Sequence, residues 1–137
     1  MKSIIDIISN SPTLQTLWKN ANYVKIKLSV EQKYSRKGLT LNGQVIDELL
    51  ANSNNEYISH KAFNIELYKA AFSTFSQLAY TIGHEFVHVK HINSGFTLKV
   101  YNKMDIGEGK KYLERLAYTW EINFGNSKAL DKLRYYE

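Results

Sequence analysis

Two histidines four residues apart, His84 and His88, with a glutamate directly after the first, are the residues of this 137-residue chain best suited to chemistry. The run His84-Glu85-Phe86-Val87-His88 has the spacing HExxH and lies inside residues 72–92, FSTFSQLAYTIGHEFVHVKHI. On a helix the two imidazoles stand about 40° apart in azimuth and about 6 Å apart along the axis, so both can reach one ion. Glu85 sits about 100° around from His84. From there its carboxylate can flank the ion and take a proton from a metal-bound water, as a base and not as a ligand.

A catalytic zinc site needs three protein ligands and one open position, so a third His, Asp or Glu must come from elsewhere. His91 shares the face of His88, but it lies about 10.5 Å along the axis from His84, too far for one straight helix to close on an ion. Glu114 and Glu121 stand seven apart on one side of a later helix, about 10.5 Å from each other, so one of them can bind the metal but not both. Ala117, one turn after Glu114, would let two helices approach closely, which favours Glu114 as the ligand. Glu121 could instead accept a hydrogen bond from a ligand imidazole. The plain alternative for either is an exposed helix glutamate.

The elements that must position these groups can be read from periodicity. Phe75, Ala79, Ile82, Phe86 and Val89 recur at intervals of four and three, an apolar stripe opposite Ser73, Gln77, Tyr80, Thr81, His84, His88 and His91. Gly83 weakens that helix by roughly 1 kcal/mol relative to alanine, which implies that something packs closely there. Residues 110–124 form a second long helix through Leu113, Leu116, Ala117, Trp120 and Phe124, ended by Gly125-Asn126, and Ser127 caps a terminal helix. Asn93-Ser94-Gly95 stops the first.

Upstream, Ile4, Ile5 and Ile8 fit a short helix, and Ser11-Pro12 opens another through Leu14, Leu17 and Trp18. Residues 23–30 (YVKIKLSV) alternate as a half-buried strand. Gly38 and Asn42-Gly43 around Leu39-Thr40-Leu41 predict a hairpin turning at Asn42-Gly43. A helical turn is expected over residues 47–51, strands over residues 57–63 and 96–101, and a loop over residues 105–109. Residues 64–71 are either part of the long helix or a lead-in to it. The sum is one α+β domain spanning residues 1–137, with a small antiparallel sheet.

Composition narrows the function. A hydrophobic share of 44% and a single proline fit a globular domain. The absence of cysteine excludes disulfides, thiolate zinc sites and a Cys nucleophile, so any zinc must be held by His and carboxylate. No run of about 18 apolar residues exists to span a membrane. The start, MKSIIDIISNSP, carries an apolar run too broken and short for a signal peptide, and the compartment is left open. The net charge of +5 is spread out, with KYSRK at residues 33–37 as its densest cluster, and this argues against nucleic acid as a partner.

The run HEFVH, followed 26 residues later by Glu114-Arg115-Leu116-Ala117-Tyr118 in the form ExxAY, resembles the zincin metallopeptidases with an HExxH-plus-glutamate site. Within that group it looks most like small effector and toxin metallopeptidase modules of bacterial polymorphic toxins. The resemblance covers about residues 72–124. It departs from the metzincin pattern, which needs a later histidine that is missing after Gly95. It implies a zinc-dependent hydrolase of peptide bonds, with His84, His88 and Glu114 as ligands and Glu85 as base. Its partners would be a protein or peptide substrate and an immunity or inhibitor protein. A further donor to the transition-state oxygen is expected from Tyr118, Tyr80 or Tyr101. The competing expectation is a zincin-like binding module without catalysis, against which the intact Glu85 argues; a zinc hydrolase of non-peptide bonds would share every residue named.

Overall fold

Helix α3, Phe75–Asn93, runs through the middle of the molecule, and the remaining elements are layered around it. The computed structural model describes residues 2–35 and 40–136. Helices α1 (Lys2–Ser9) and α2 (Pro12–Trp18) come first, the second opened by Ser11, whose Oγ accepts the Leu14 N–H at 3.2 Å, with proline at the first helical position. Strands β1 (Ile26–Leu28), β4 (Gly43–Ala51) and β5 (Tyr57–Leu67) form one sheet in the order β1-β5-β4. Strands β2 (Lys33–Tyr34) and β3 (Thr40–Leu41) form a separate pair. After a 3-10 turn at Lys69–Phe72 the chain is helical: α3, α4 (Phe96–Lys103), α5 (Ile106–Phe124) and α6 (Ala129–Tyr135). The fold is therefore α+β, as the sequence predicts. No helix among the described residues is long and apolar enough to cross a membrane.

Several local expectations are corrected. The main sheet is mixed, because β4 pairs with β5 antiparallel while β1 pairs with it in parallel through Ile26–Ile65 and Leu28–Leu67. Asn42-Gly43 is not a hairpin turn: the antiparallel partners are β2 and β3, and Asn42 is the bend that carries the chain from β3 into β4. Gly38 and Leu39 lie outside the described residues. Residues 47–51 are not helical but complete β4, where long pairing with β5 overrides the helix-forming composition of DELLA. Residues 96–101 are helical, and residues 105–109 begin α5, capped by Asp105, whose carboxylate accepts the Gly107 N–H at 3.1 Å. Residues 64–67 belong to β5. The strand at residues 23–30 shrinks to three residues, and Val30 is 91% exposed. Lys128, not Ser127, stands at the cap of α6.

Around α3, Ile4 and Ile8 of α1, Leu17 of α2, Ile65 and Leu67 of β5 and Ala117 of α5 close on Leu78, Ile82, Phe86 and Val89. Each of the larger of these side chains contributes roughly 1.5–3 kcal/mol by leaving water. Phe75 is exposed, so the stripe starts one turn later than expected. The other side of α3 is covered as well, and every residue from Thr81 to Val87 is buried, His84 and Glu85 among them. A helix buried all round must satisfy its polar groups inside the protein. That requirement shapes the site.

Candidate metal centre

Close approach of α3 and α5 brings the site together. A Cβ at Gly83 would stand 1.8 Å from the Trp120 indole, so only glycine leaves room for that ring. Trp120 stacks in turn on Phe124, with ring centroids 4.7 Å apart. The small Ala117, fully buried, lies one turn before Glu121 and supports the same approach. With the helices so placed, Glu114 and Glu121 reach His84 from opposite ends of its ring.

His84 Nδ1 lies 2.6 Å from Glu121 Oε2, and His84 Nε2 lies 3.2 Å from Glu114 Oε1. His88 Nε2 is 2.5 Å from the same Glu114 oxygen and 3.3 Å from His84 Nε2. Three donors, two imidazole nitrogens and one carboxylate oxygen, thus point at one spot. Glu121 is itself fixed: its Oε1 accepts from Asn126 Nδ2 at 2.9 Å, just past the Gly125 that ends α5 in a left-handed conformation (φ 122°). A carboxylate at Nδ1 favours a proton there, so an ion displacing the Nε2 proton would meet the lone pair of the ligating tautomer. The structure therefore places Glu114 on the Nε2 side and Glu121 on the Nδ1 side of one imidazole.

Glu85 is buried and makes no hydrogen bond with a described residue, yet its carboxylate borders the cleft beside His88 and Glu114. The donor atoms of His84, Glu85 and His88 all lie within 4.8 Å of one another. Burial, reinforced by Glu114 and Glu121 and opposed by His84 and His88, pushes the Glu85 carboxyl up to about 7. For His84 burial disfavours the charged ring, but Glu114, Glu85 and Glu121 outweigh it and hold its pKa well above the usual value. Burial also acts to raise Glu114, and the two histidines overcome it, keeping that carboxyl well below the usual range. His88, at 15% side-chain exposure, and Glu114, at 26%, open onto solvent through the cleft.

The other expected groups divide. Tyr118 lays its ring against His84, centroids 4.4 Å apart, and burial, then Glu114, raises its phenol well above the usual value. Tyr101 lines the cleft, where burial, Asp47 and Glu114 push it up to about 12. Tyr80 meets Phe124 edge-on and borders neither the cleft nor the ligands. His91 packs on Phe96 away from the cluster, and burial, then the charge of His88, lowers it to about 4. The strand along the cleft is β4, through Gly43, Val45, Asp47 and Leu49.

Two features escaped the sequence. Asp47 faces the cleft and pairs with His60 Nδ1 of β5 at 2.7 Å, which a helical assignment of residues 47–51 concealed. Tyr136, stacked on Tyr118 with centroids 5.7 Å apart, also borders the site, and burial, then Glu114, pushes it up to about 12. No periodicity marks it, since it follows the last helix. Compared with protein-family models, curated proteins and solved structures, the chain matches none.

Proposed function

We propose that the chain is a zinc-dependent peptidase. The observation that carries this reading is the convergence of His84 Nε2, His88 Nε2 and Glu114 Oε1 to within 3.3 Å of one another beside the buried Glu85. These donors fit the group. Ligands about 2.0–2.1 Å from a tetrahedral ion stand about 3.3 Å apart, and two of the three separations, 3.2 and 3.3 Å, have that value. A borderline ion is suited by imidazole nitrogen with carboxylate oxygen, and the chain offers no thiolate.

His84, His88 and Glu114 would hold the zinc, which when bound would lower the pKa of water towards about 7 and polarise a carbonyl oxygen. The residues supply the rest. Glu121 holds the His84 ring in the ligating tautomer. Glu85, raised towards neutrality by burial, takes a proton from the attacking water and delivers it to the leaving nitrogen. The buried walls around Thr81–Val87 limit competing water on the helix side.

The test pairs metal analysis with activity. The wild-type chain should bind about one zinc and hydrolyse peptides, and His84→Ala should lose both. Glu85→Gln should keep the zinc and lose about 10²–10⁴-fold in rate. A wild-type chain that binds zinc and cleaves no peptide would leave a binding module as the better reading, and a Glu85→Gln protein as active as wild type would remove Glu85 as the base. Placement among toxin modules rests on the resemblance around Glu114 and Tyr118; growth arrest on expression, relieved by Glu85→Gln, is the outcome it requires.

A further inference from the structure

The cleft beside the three donors carries an acid that the proposed chemistry leaves unused. Asp47 on β4 lines the same space of about 380 Å³ as Glu85, His88 and Glu114. Its side chain is 14% exposed, and one carboxylate oxygen, Oδ1, lies 2.7 Å from His60 Nδ1 on β5. An ionised carboxylate accepts and never donates, so the ring supplies the proton. The other oxygen, Oδ2, has no hydrogen bond with a described residue.

His60 holds Asp47 at some cost to the fold. Its side chain is 9% exposed, and Nε2 is buried with no partner among the described residues. A second proton on Nε2 would meet no acceptor there, so the pair carries the single negative charge of the carboxylate. A part-buried carboxylate with one hydrogen bond has given up water without full replacement. No side chain among the described residues supplies the missing cation: Lys110 of α5, which also lines the cleft, is exposed and forms no ion pair with them. Asp47 also acts on the same stretch of the cleft as the donors. Burial, then Asp47 and Glu114, pushes the Tyr101 phenol up to about 12, so one cleft-lining ring feels both charges.

We propose that Asp47 is a specificity-determining residue whose free oxygen takes an ammonium or guanidinium group of the peptide bound at the three donors. This rests on the peptidase reading and names its substrate class, peptides that present a cation near the scissile bond. Two sources offer that chemistry: a lysine or arginine side chain, and the free amino terminus of the peptide. The cleft has the size of an ordinary ligand pocket, about 300–1,000 Å³, and admits either. A charge-assisted hydrogen bond to a part-buried carboxylate favours binding by about 10–100-fold over an uncharged group of the same size. Asp47→Asn keeps an acceptor for His60 Nδ1 and removes the charge.

The test has two arms on the zinc-loaded full chain, wild type and Asp47→Asn. In the first, a peptide library with free or acetylated amino termini is digested and the cut sites are read by mass spectrometry. Cuts should cluster at one fixed distance from lysine or arginine, or from a free amino terminus, the second pattern disappearing on acetylation. Either clustering should be lost in Asp47→Asn. In the second arm, calorimetry compares the hydroxamates of acetyl-lysine (acetylated at its α-amine), acetyl-norleucine and norleucine. The acetyl-lysine compound should bind about 10–100-fold tighter than the acetyl-norleucine one where the side chain is the source, and the norleucine compound should do so where the amino terminus is. Asp47→Asn should bring the three within threefold while leaving the acetyl-norleucine affinity unchanged, which separates loss of charge from loss of fold; Asp47→Ser serves if that variant does not fold. Cutting without clustering, clustering that survives in Asp47→Asn, or wild-type hydroxamate affinities within threefold overturns the proposal while leaving the peptidase reading intact. An Asp47-dependent hydroxamate preference in a chain that cuts nothing supports the cation site and overturns the peptidase reading instead. Neither cutting nor hydroxamate binding overturns both.

Discussion

Gly83→Ala tests whether the contact between α3 and α5 sets the site. The new Cβ would stand 1.8, 2.3 and 2.8 Å from three carbons of the Trp120 indole. Ordinary carbon contacts are about 3.5–4.0 Å, so the ring edge must withdraw by about 2 Å. Alanine gains roughly 1 kcal/mol of helix propensity, whereas overpacking costs about 1–3 kcal/mol and sometimes more. The net expectation is a loss of up to about 2 kcal/mol, or a fall in Tm of up to about 7 °C. Trp120 directly precedes Glu121, so its retreat loosens the 2.6 Å contact that orients His84. Zinc affinity should fall roughly tenfold or more with it. Trp120→Leu in the same chain removes the clash and should restore most of the affinity. Thermal melts and zinc titrations of wild type, the single and the double variant decide this. A Gly83→Ala protein that melts higher than wild type and binds zinc equally well would mean the indole merely swings aside, and the packing argument fails.

Two further outcomes follow from the same geometry. Glu114→Ala should abolish tight zinc binding, since only two imidazoles remain, whereas Glu121→Gln should weaken it by about 10–100-fold at most; a larger loss at Glu121 in competition titrations would exchange the two roles. Glu85→Gln should raise the stability of the metal-free protein above neutral pH. A carboxyl lifted from 4.5 to about 7 binds more protons folded than unfolded, so its penalty is absent below pH 4.5 and complete above pH 7. The gain at pH 8 is up to about 3 kcal/mol and should vanish by pH 4.5. Denaturant midpoints of both proteins across that range supply the check, and a gap independent of pH would refute it.

The histidine spacing and the two long helices were legible because both follow local periodicity, and so were the stops at Gly95 and Gly125. Gly83 announced a close neighbour but could not name Trp120, because that contact depends on the register of two helices 37 residues apart. Longer-range pairing was less readable. Residues 47–51 are Asp, Glu, two Leu and Ala, all compatible with a helix, and only their ladder with β5 makes them a strand. Residues 96–101 alternate like a strand, yet Gly95 at φ 81° turns the chain into α4, whose buried Thr97 and Val100 sit three apart on one face. The direction of β1 follows from a crossover that no local pattern encodes. Tyr136 reached the site only through the packing of α6 on α5, with Arg115 holding its carbonyl.

The division of labour between the helices explains why two glutamates seven apart both matter although only one can join the cluster. Their spacing spans about 10.5 Å on α5, too far to share an ion but enough to flank one imidazole ring. Glu114 meets His84 Nε2 and His88 Nε2, and Glu121 meets His84 Nδ1, so α5 grips the first histidine at both nitrogens. Each of these four side chains has a partner here, whereas Glu85 has no hydrogen bond with a described residue and borders the cleft. A buried acid without a hydrogen bond destabilises the fold, and a glutamine or methionine there would remove that charge at little change in volume. Its presence beside three converging donors and an open cleft is what the chemistry of proton transfer requires and what stability alone would not select.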